Sequence, residues 1–396
     1  MVELRVSKTV RIPNQLHLEL YRRIPELGPR VLFFSGGTAL REVSRHLIDY
    51  THNSIHLITP FDSGGSSAKL RKAFKMLAVG DLRNRLMALA DRTVRGQREI
   101  FELFAFRFPK DGDEEKLRRW LNRLVSGRDP MMESIADPMR RLIRNHLRYF
   151  WESMPKTFSL CGANIGNLIL AGGYLNNARH IDPVIFLFSK LVQVRGVVRP
   201  VSSEYMHLAA ELENGKTVVG QHLLTGREVS PIVSPIKRLF LTRRMRNPEP
   251  VELPVREKVQ RLIKSADIIC YPVGSFYTSV VANLLLQGLG DVIAESDVPK
   301  VYFPNSSTDV EELGMNLPRK VRTLLEYLHK SCIHPRKNKE LMSYVAVDSR
   351  NSSITQDDMD AIGELGVEII DLPLASDECA PFLAPEKIVE TLISLV

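Results

Sequence analysis

Short apolar runs alternate with amphipathic segments along the first part of the chain. Residues 31–35 form an apolar run that precedes a helical segment at 39–50, and a second run at 54–59 precedes another helical segment at 66–77. Short buried strands separated by helices are typical of βαβ units, in which the strands pair in parallel. The pattern therefore predicts an α/β fold, Rossmann-like and doubly wound, around a mainly parallel sheet.

From residue 81 to residue 151 the pattern becomes almost wholly helical. Apolar side chains recur with the 3.6-residue period at Leu117, Leu121 and Leu124, and again between Met139 and Phe150. Breaks at 109–113 and 126–130 separate the predicted helices. We interpret residues 92–157 as a helical lobe inserted into a single α/β domain of residues 1–396.

Strand-like runs resume after the lobe. An Asn-Gly hairpin signal at residues 213–216 places a small antiparallel excursion at 197–242, because this dipeptide between apolar runs favours a tight turn. An edge strand is also expected at residues 2–6. Further strands are predicted at 158–161, 266–271, 301–303, 344–347 and 367–370, with helices at 168–178, 183–192, 254–264, 276–287, 318–330, 356–362 and 385–395.

Charge is concentrated in one part of the sequence. The chain has a net charge of +8, and residues 68–150 contain 20 Lys and Arg against 11 Asp and Glu, a local excess of +9. This excess fits either an anionic ligand or ordinary solvated helix faces. Nucleic acid is an unlikely partner because no RNA-binding aromatic motif or zinc-finger spacing accompanies the charge.

Cysteine spacing and hydropathy indicate the compartment. The four cysteines form no CxxC pair, and Cys161 and Cys270 lie in apolar runs typical of buried thiols. No apolar run reaches the roughly 18 residues that span a bilayer, and the first residues lack a signal-peptide pattern. We expect a reduced, cytoplasmic protein that does not contact the membrane.

Three small-residue elbows lie between residues 31 and 91. Ser-Gly-Gly-Thr at 35–38 and Asp-Ser-Gly-Gly-Ser-Ser at 62–67 each follow a strand-like run, and Gly-Asp-Leu-Arg-Asn at 80–84 opens a helix. Strand ends and helix starts meet at one edge of a parallel sheet, where free N–H groups attract anions. Each elbow alone also fits a tight turn or a capped helix, with Ser66 as an ordinary N-cap.

The side chains in these elbows suit a phosphorylated ligand. Asp62 can hold Mg²⁺ or activate an attacking hydroxyl, and it is the candidate catalytic residue and metal ligand. Two later segments, 162–168 and 274–279, present amides and hydroxyls in the same way. The predicted nucleotide- and phosphate-binding residues are Gly36, Gly37, Thr38, Gly64, Gly65, Ser66, Ser67, Asp81, Arg83, Asn84, Asn164, Asn167, Gly274 and Ser275.

The order of these motifs resembles the CofD/YvcK family. The resemblance covers the chain from Arg30 to its end. It rests on the segments 35–38, 62–67, 80–84, 162–168 and 274–279, together with 193–201, the 213–219 hairpin and Asn305.

The resemblance implies a core that binds a nucleoside diphosphate. The CofD branch transfers 2-phospho-L-lactate from a guanosine-linked donor to the hydroxyl of the deazaflavin Fo, with Mg²⁺. The YvcK branch binds nucleotide sugars such as UDP-N-acetylglucosamine and acts in carbon metabolism and cell-shape control, without an accepted transferase role. The Asn-Gly-Lys hairpin and the Val-Arg-Gly segment are closer to the YvcK branch.

Three departures from the family pattern keep two hypotheses open. Ala39 replaces a glycine, Ser63 replaces the second aspartate of an Asp-Asp pair, and Val273 alters a Gly-Pro-Gly-Ser segment. The missing carboxylate favours a nucleotide-sugar sensor, while the enzyme that names the family favours a phospholactate-type transferase. In either case the expected partner is a nucleotide or nucleotide-linked molecule of GDP or UDP type, and a homodimer is a further expectation.

Overall fold

Seven parallel strands form the central sheet. The computed structural model describes residues 9–91, 98–226, 229–307, 309–351, 354–377, 379–380 and 382–396. Its strands are β1 (Val31–Ser35), β2 (Ile55–Ile58), β3 (Val197–Pro200), β4 (His207–Leu212), β5 (Thr217–Val219), β6 (Ile236–Thr242), β7 (Ile268–Tyr271), β8 (Lys300–Tyr302), β9 (Tyr344–Val347) and β10 (Glu368–Asp371).

Both faces of this sheet are buried, which confirms the doubly wound α/β fold. The order across the sheet is β10-β9-β8-β7-β1-β2-β3, with parallel pairing throughout. In β1, Val31 and Phe33 pack into the core on one face, while Leu32 and Phe34 pack into the core on the other. A strand buried on both faces reads as a continuous apolar run, as the sequence of β1 does.

Helices cover the sheet and also form the segment between α4 and α9. They are α1 (Gln15–Arg23), α2 (Arg41–Leu47), α3 (Gly65–Phe74), α4 (Gly80–Ala88), α5 (Arg98–Ala105), α6 (Glu114–Ser126), α7 (Pro130–Glu133), α8 (Met139–Ser153), α9 (Ile165–Asn176), α10 (Asp182–Leu191), α11 (Gln221–Leu224), α12 (Glu257–Lys264), α13 (Leu289–Ala294), α14 (Leu317–Lys330), α15 (Asn338–Leu341), α16 (Gln356–Gly363) and α17 (Pro385–Ser394). Short 3₁₀ turns occupy Pro25–Leu27, Val281–Leu284 and Val310–Glu312, and a π-helical turn occupies Phe276–Val280.

The helical segment between α4 and α9 shares one apolar core with a face of the main sheet, which contributes Ile58 of β2 and Val198 of β3. The periodic residues Leu117, Leu121 and Leu124 of α6 are buried there together with Ile143 and Leu147 of α8. The three-stranded antiparallel sheet β5-β4-β6 packs elsewhere, within the core of the main sheet. Among the described helices, none has the length and apolar character that a membrane crossing requires.

The chain reverses its direction across the sheet at β1. It runs from β1 through β2 to β3 on one side, and β7 later pairs with β1 on the other side. Such a switch point opens a crevice at the carboxyl ends of the two diverging strands, where ligands of open α/β sheets bind. The loops that follow β1, β2 and β7 all begin at this edge.

The strand predicted at 158–161 is wrong. These residues form turns and irregular chain because they lie against helices α6 and α8 rather than beside a strand. The Leu160 N–H donates to Glu114 Oε1 at 2.8 Å, and Phe158 packs edge-on against Phe150. The side chains of this apolar run are buried against helices, so the run has the apolar pattern of a strand without pairing as one.

The helix predicted at 276–287 is also wrong as a regular α-helix. The segment forms a π-helical turn followed by a 3₁₀ turn. The Asn283 amide donates to both Ser279 O and Ser35 O, which ties the irregular segment to the end of β1. This bond links the segment to the loop that leaves β1.

Helix boundaries differ by a few residues elsewhere. The helix predicted at 66–77 is α3 and ends at Phe74, because Lys75 adopts a left-handed conformation with φ of 47°. Residues 9–30, where the sequence pattern did not predict a helix, contain α1 and a 3₁₀ turn. The edge strand expected at residues 2–6 lies outside the described residues.

Candidate functional site

A cleft of about 650 Å³ lies at the switch point of the sheet. All of the predicted site residues except Asn164 line it. Those residues are Gly36, Gly37, Thr38, Asp62, Gly64, Gly65, Ser66, Ser67, Asp81, Arg83, Asn84, Asn167, Gly274 and Ser275.

The first loop is packed too closely for side chains at its glycines. A Cβ on Gly36 would lie 2.4 Å from the Ser279 hydroxyl, and a Cβ on Gly37 would lie 2.5 Å from Asp81 Oδ1. The buried Arg85 guanidinium donates to both glycine carbonyls at 3.3 Å. Burial lowers the pKa of Arg85 to about 10, against the opposing effect of Asp81. Glycine and a buried cation thus fix the backbone of this loop.

The second loop presents an uncapped helix start to the cleft. The N-cap of α3 is Gly64 and not Ser66, and no side chain caps this helix. Asp62 Oδ1 accepts the Gly64 N–H at 3.0 Å, and Gly65 has a positive φ of 46°. A helix start with unsatisfied N–H groups carries a partial positive charge that attracts anions.

Three polar side chains from different elements converge on Gly80, the first residue of α4. A Cβ at this position would lie 2.6 Å from Ser67 Oγ, 3.5 Å from Asp62 Oδ2 and 3.8 Å from Asn167 Nδ2. Helix α4 also lacks a side-chain cap. The absence of a side chain at Gly80 therefore brings a hydroxyl, a carboxylate and an amide together.

The third loop follows β7 and is fixed by hydrogen bonds from residues outside the cleft. The Gly274 N–H donates to Asn305 Oδ1 at 2.8 Å, and the Asn305 amide returns a bond to Gly274 O at 2.7 Å. Glu311 accepts the N–H groups of Tyr277 and Thr278, at the start of the π-helical turn. These contacts are not to the cleft, so Asn305 and Glu311 are positioning residues.

Several buried polar atoms of the cleft lack a protein partner. They are Ser35 Oγ, Arg83 Nη1, Asn167 Oδ1 and Gln221 Oε1. A buried polar atom without a hydrogen bond costs about 1–3 kcal/mol of folding free energy. Four such atoms belong to residues that line one cleft, a pattern typical of groups that a bound ligand or ordered water satisfies.

Positive charge collects on one wall of the cleft. Burial lowers the pKa of Arg83 to about 10, and the neighbouring Arg107 lowers it further, against the effect of Asp81. Lys69 Nζ donates to Cys161 O at 2.6 Å, and Arg107 donates to Gly162 O at 2.7 Å. These cations reach neutral carbonyl oxygens at the cleft, an environment that an anionic ligand would complement.

Asn164 is a structural residue in this fold. Its side chain accepts the Asn167 N–H at 3.0 Å as the N-cap of α9 and donates to Phe106 O at 3.0 Å. Asn164 is fully buried and does not line the cleft. The prediction that it binds the ligand is therefore not supported by its position, whereas the neighbouring Asn167 does reach the cleft.

One wall of the cleft was not predicted from the sequence. This wall includes Gln221, His222 and Thr225, which follow the antiparallel hairpin far along the chain. Lys69, Arg107 and Lys110 were also missed, whereas Ser279, which lines the cleft too, falls within the predicted 274–279 segment. No local motif marks these residues, although the basic excess of residues 68–150 includes three of them. Cys161, expected to be buried, is half-buried and lines the cleft.

The metal ligands are sparse. Within the described residues no group of three or more His, Cys, Asp or Glu side chains is arranged to hold a metal ion. Mg²⁺ in proteins is held by one or two carboxylates together with substrate phosphates. Asp62 at the cleft fits an ion that arrives with a diphosphate, and it does not fit a resident metal centre.

Comparison with known proteins assigns the family. A family model described as 2-phospho-L-lactate transferase CofD matches residues 31–375. The chain belongs to the CofD family. The cleft loops after β1, β2 and β7 all fall within the matched range.

Two relatives of this chain are gluconeogenesis factors. The gluconeogenesis factor of Listeria monocytogenes is 29% identical over 378 residues, which is 94% of this chain and 97% of that protein. The gluconeogenesis factor of Halalkalibacterium halodurans is 30% identical over 281 residues, covering 70% of this chain and 67% of that protein.

A solved structure supports the fold of this CofD family member. It is a UPF0052-family protein from Bacillus halodurans, with a TM-score of 0.64 and 24% identity. The match covers 91% of this chain and 98% of that one. The α/β architecture is therefore shared with an experimentally determined fold.

Proposed function

We propose that the cleft binds a nucleoside diphosphate-linked small molecule through its diphosphate. The observation that carries this proposal is the convergence of three glycine elbows and two uncapped helix starts at the sheet switch point. Backbone N–H groups can approach phosphate oxygens closely where no Cβ intervenes. The unpartnered Arg83 Nη1 supplies a charged donor at the same place.

The family supports a transfer reaction at this site. In the proposed reaction, an acceptor hydroxyl oxygen attacks the distal phosphorus of the donor, and its proton passes to Asp62. The phosphoanhydride bond breaks, and the nucleoside monophosphate leaves with the bonding electrons. Arg83 and the start of α3 stabilise the negative charge of the reacting phosphoryl group, because such reactions depend on positioning and electrostatics.

Mg²⁺ belongs to this proposal only as an ion bound with the substrate. Asp62, together with the donor phosphates, would hold it. When bound, the ion would neutralise phosphate charge and polarise the phosphorus–oxygen bonds. The protein residues described above supply the remaining positioning without it.

A second candidate function is a nucleotide-sugar-binding regulator that does not turn over its ligand. Two observations favour it. The relatives that align over almost the whole chain are gluconeogenesis factors. The residue beside Asp62 is Ser63, whose hydroxyl contacts His222 instead of supplying a second carboxylate.

Two measurements on one protein preparation test these functions. Isothermal titration calorimetry with GDP, UDP, GTP and UDP-sugars tests binding, with Gly80→Val as the variant that blocks the cleft. Chromatographic detection of GMP released from a lactyl-diphosphoguanosine donor, with Fo as acceptor, tests transfer. Binding with GMP release supports the transferase, and binding without release supports the regulator. No binding of any nucleotide by the wild-type protein contradicts both.

A further inference from the structure

Helix α11 forms one wall of the cleft and contributes a buried side-chain amide whose oxygen accepts no hydrogen bond. Gln221 is only 8% exposed, lines the cleft, and its Oε1 has no hydrogen-bond partner. The residue does not cap its own helix, because Gly220 is the N-cap and no side chain bonds there. The buried acceptor therefore has no structural role that the described contacts explain.

The adjacent imidazole has a fixed orientation. Ser63 Oγ lies 2.8 Å from His222 Nδ1, and the same oxygen accepts the His222 backbone N–H at 3.3 Å. The Ser63 hydroxyl donates to Nδ1 in one tautomer of His222 and accepts from Nδ1 in the other. Nε2 is then a donor in the first tautomer and an acceptor in the second.

Glycine at position 220 makes room for this arrangement. Gly220 has a positive φ of 116°, and a Cβ there would lie 3.0 Å from the His222 ring and 3.2 Å from Ser63 Oγ. The ring is thus packed between the loop after β2 and the turn that starts α11. Its position is set by contacts that do not involve the ligand.

We propose that Gln221 and His222 form a subsite for a neutral, hydrogen-bond-donating group of the ligand, separate from its phosphates. Gln221 Oε1 needs a donor, and ionised phosphates and carboxylates are acceptors only. A hydroxyl or an N–H meets this need, and a hydroxyl can also bond His222 Nε2 in either tautomer because it both donates and accepts. This inference rests on the proposed nucleotide binding, since it assigns the chemistry of the non-phosphate part.

Two parts of a nucleotide-linked ligand offer such donors, namely the nucleoside, through its base N–H edge and ribose hydroxyls, and the distal sugar, through its hydroxyls. The test compares the wild-type protein with Gln221→Met, which keeps the side-chain length and removes only the amide. Calorimetric titrations use pyrophosphate, GDP, UDP, GDP-mannose and UDP-glucose. Gln260→Met is the matched control, because Gln260 makes its hydrogen bond to Val255 O, away from the cleft.

We expect Gln221→Met to weaken the best-binding nucleotide about tenfold and to leave pyrophosphate affinity unchanged. Equal weakening of a diphosphate and its sugar conjugate places the donor on the nucleoside, and weakening of the conjugate alone places it on the distal sugar. The unliganded variant should also melt at a higher temperature than the wild type, because a buried unsatisfied acceptor is removed. A merely structural glutamine would give a lower melting temperature.

Two results would overturn the subsite. One is unchanged affinity of Gln221→Met for every nucleotide that the wild-type protein binds, and the other is an equal loss for pyrophosphate. Either leaves the proposed nucleotide binding intact. A wild-type protein that binds none of these compounds would instead overturn the nucleotide proposal, and the subsite with it.

Discussion

Two aspartates near the carboxyl ends of parallel strands have opposite surroundings. Asp348, after β9, accepts the N–H groups of Leu374 and Ala375 at 2.8 and 2.9 Å. It also accepts the Arg350 N–H and the Asn351 amide. Asp62, after β2, accepts the Gly64 N–H and makes no other hydrogen bond to the described residues.

The number of hydrogen bonds that each aspartate accepts distinguishes Asp348, a structural carboxylate, from Asp62, a candidate functional one. Burial acts to raise the pKa of Asp348, but the hydrogen bonds from Ala375, Asn351 and Leu374 outweigh it and hold the pKa below its usual range. The oxygens of Asp348 thus stabilise their own loop. Asp62 Oδ2 instead lies beside Gly80 at the cleft, where a ligand can reach it.

The largest expected effect is on turnover at Asp62. If the protein is a transferase, Asp62→Asn should lower the rate of GMP release by about 10²–10⁴-fold, the range for loss of a general base. Nucleotide affinity should stay within about tenfold, or roughly 1.4 kcal/mol, because the amide keeps the shape of the side chain. Single-turnover rates and calorimetry measure the two quantities. Wild-type turnover in the variant would show that Asp62 is not the base.

At Asp348 we expect a loss of stability, in contrast to the loss of turnover expected at Asp62. Asp348→Asn turns an amide towards backbone N–H groups and should lower the free energy of unfolding by about 3 kcal/mol, because hydrogen bonds to a buried charge are lost. Asp62→Asn should lower it by less than about 1 kcal/mol, since one such bond is affected. Urea denaturation of both variants measures the contrast. Similar losses in the two variants would remove the distinction between the aspartates.

A similar contrast is expected between a glycine in the cleft, Gly80, and a glycine outside it, Gly363. Gly80→Ala should weaken nucleotide binding by ten- to a hundredfold, about 1–3 kcal/mol, because the new methyl group displaces Ser67 or the ligand. Gly363→Ala is the control, since nothing lies within 4 Å of a Cβ at this position at the end of α16. Its affinity should equal that of the wild type by calorimetry. Full affinity in Gly80→Ala would mean that the phosphates bind elsewhere.

The smallest effect concerns the buried carboxylate below the third loop. Burial raises the pKa of Glu311 to about 7, and Asp309 adds to this, while bonds from Thr278 and Tyr277 oppose it. The folded protein therefore keeps a proton that the unfolded chain loses above its ordinary pKa of about 4.5. The contribution of Glu311 to stability should fall as pH rises from about 4.5 to about 7.

This slope cannot exceed one proton, or about 1.4 kcal/mol per pH unit. Glu311→Gln lacks the titrating group, so the stability difference between the wild-type protein and the variant should shrink over that window. Urea denaturation at several pH values measures it. A difference that is independent of pH would contradict the buried, protonated state of Glu311.

The sequence predicted the parts of the molecule that depend on local pattern. The apolar run at 31–35 and the glycine elbow after it led directly to β1 and the first cleft loop. The five ordered motifs predicted one crevice because parallel topology brings the ends of strands together. Periodicity also placed α6 and α8 within a residue or two.

The parts that the sequence did not predict depend on tertiary contacts. Gln221 and His222 reach the cleft only because the antiparallel sheet packs beside the loop after β2. Asn164 carries an amide like that of Asn167, but the three-residue offset along the start of α9 leaves only Asn167 lining the cleft. The apolar run at 158–161 has a strand-like composition, yet its neighbours are helices.

The most direct test of the account is a crystal structure of the wild-type protein with bound GDP or UDP, whichever calorimetry shows to bind. The account predicts diphosphate density at the start of α3, beside Gly37 and Gly80, with phosphate oxygens near the backbone N–H groups of residues 65–67 and near the Arg83 guanidinium. A nucleotide whose phosphates lie outside this cleft, and make no contact with the loops after β1 and β2, would contradict the central claim.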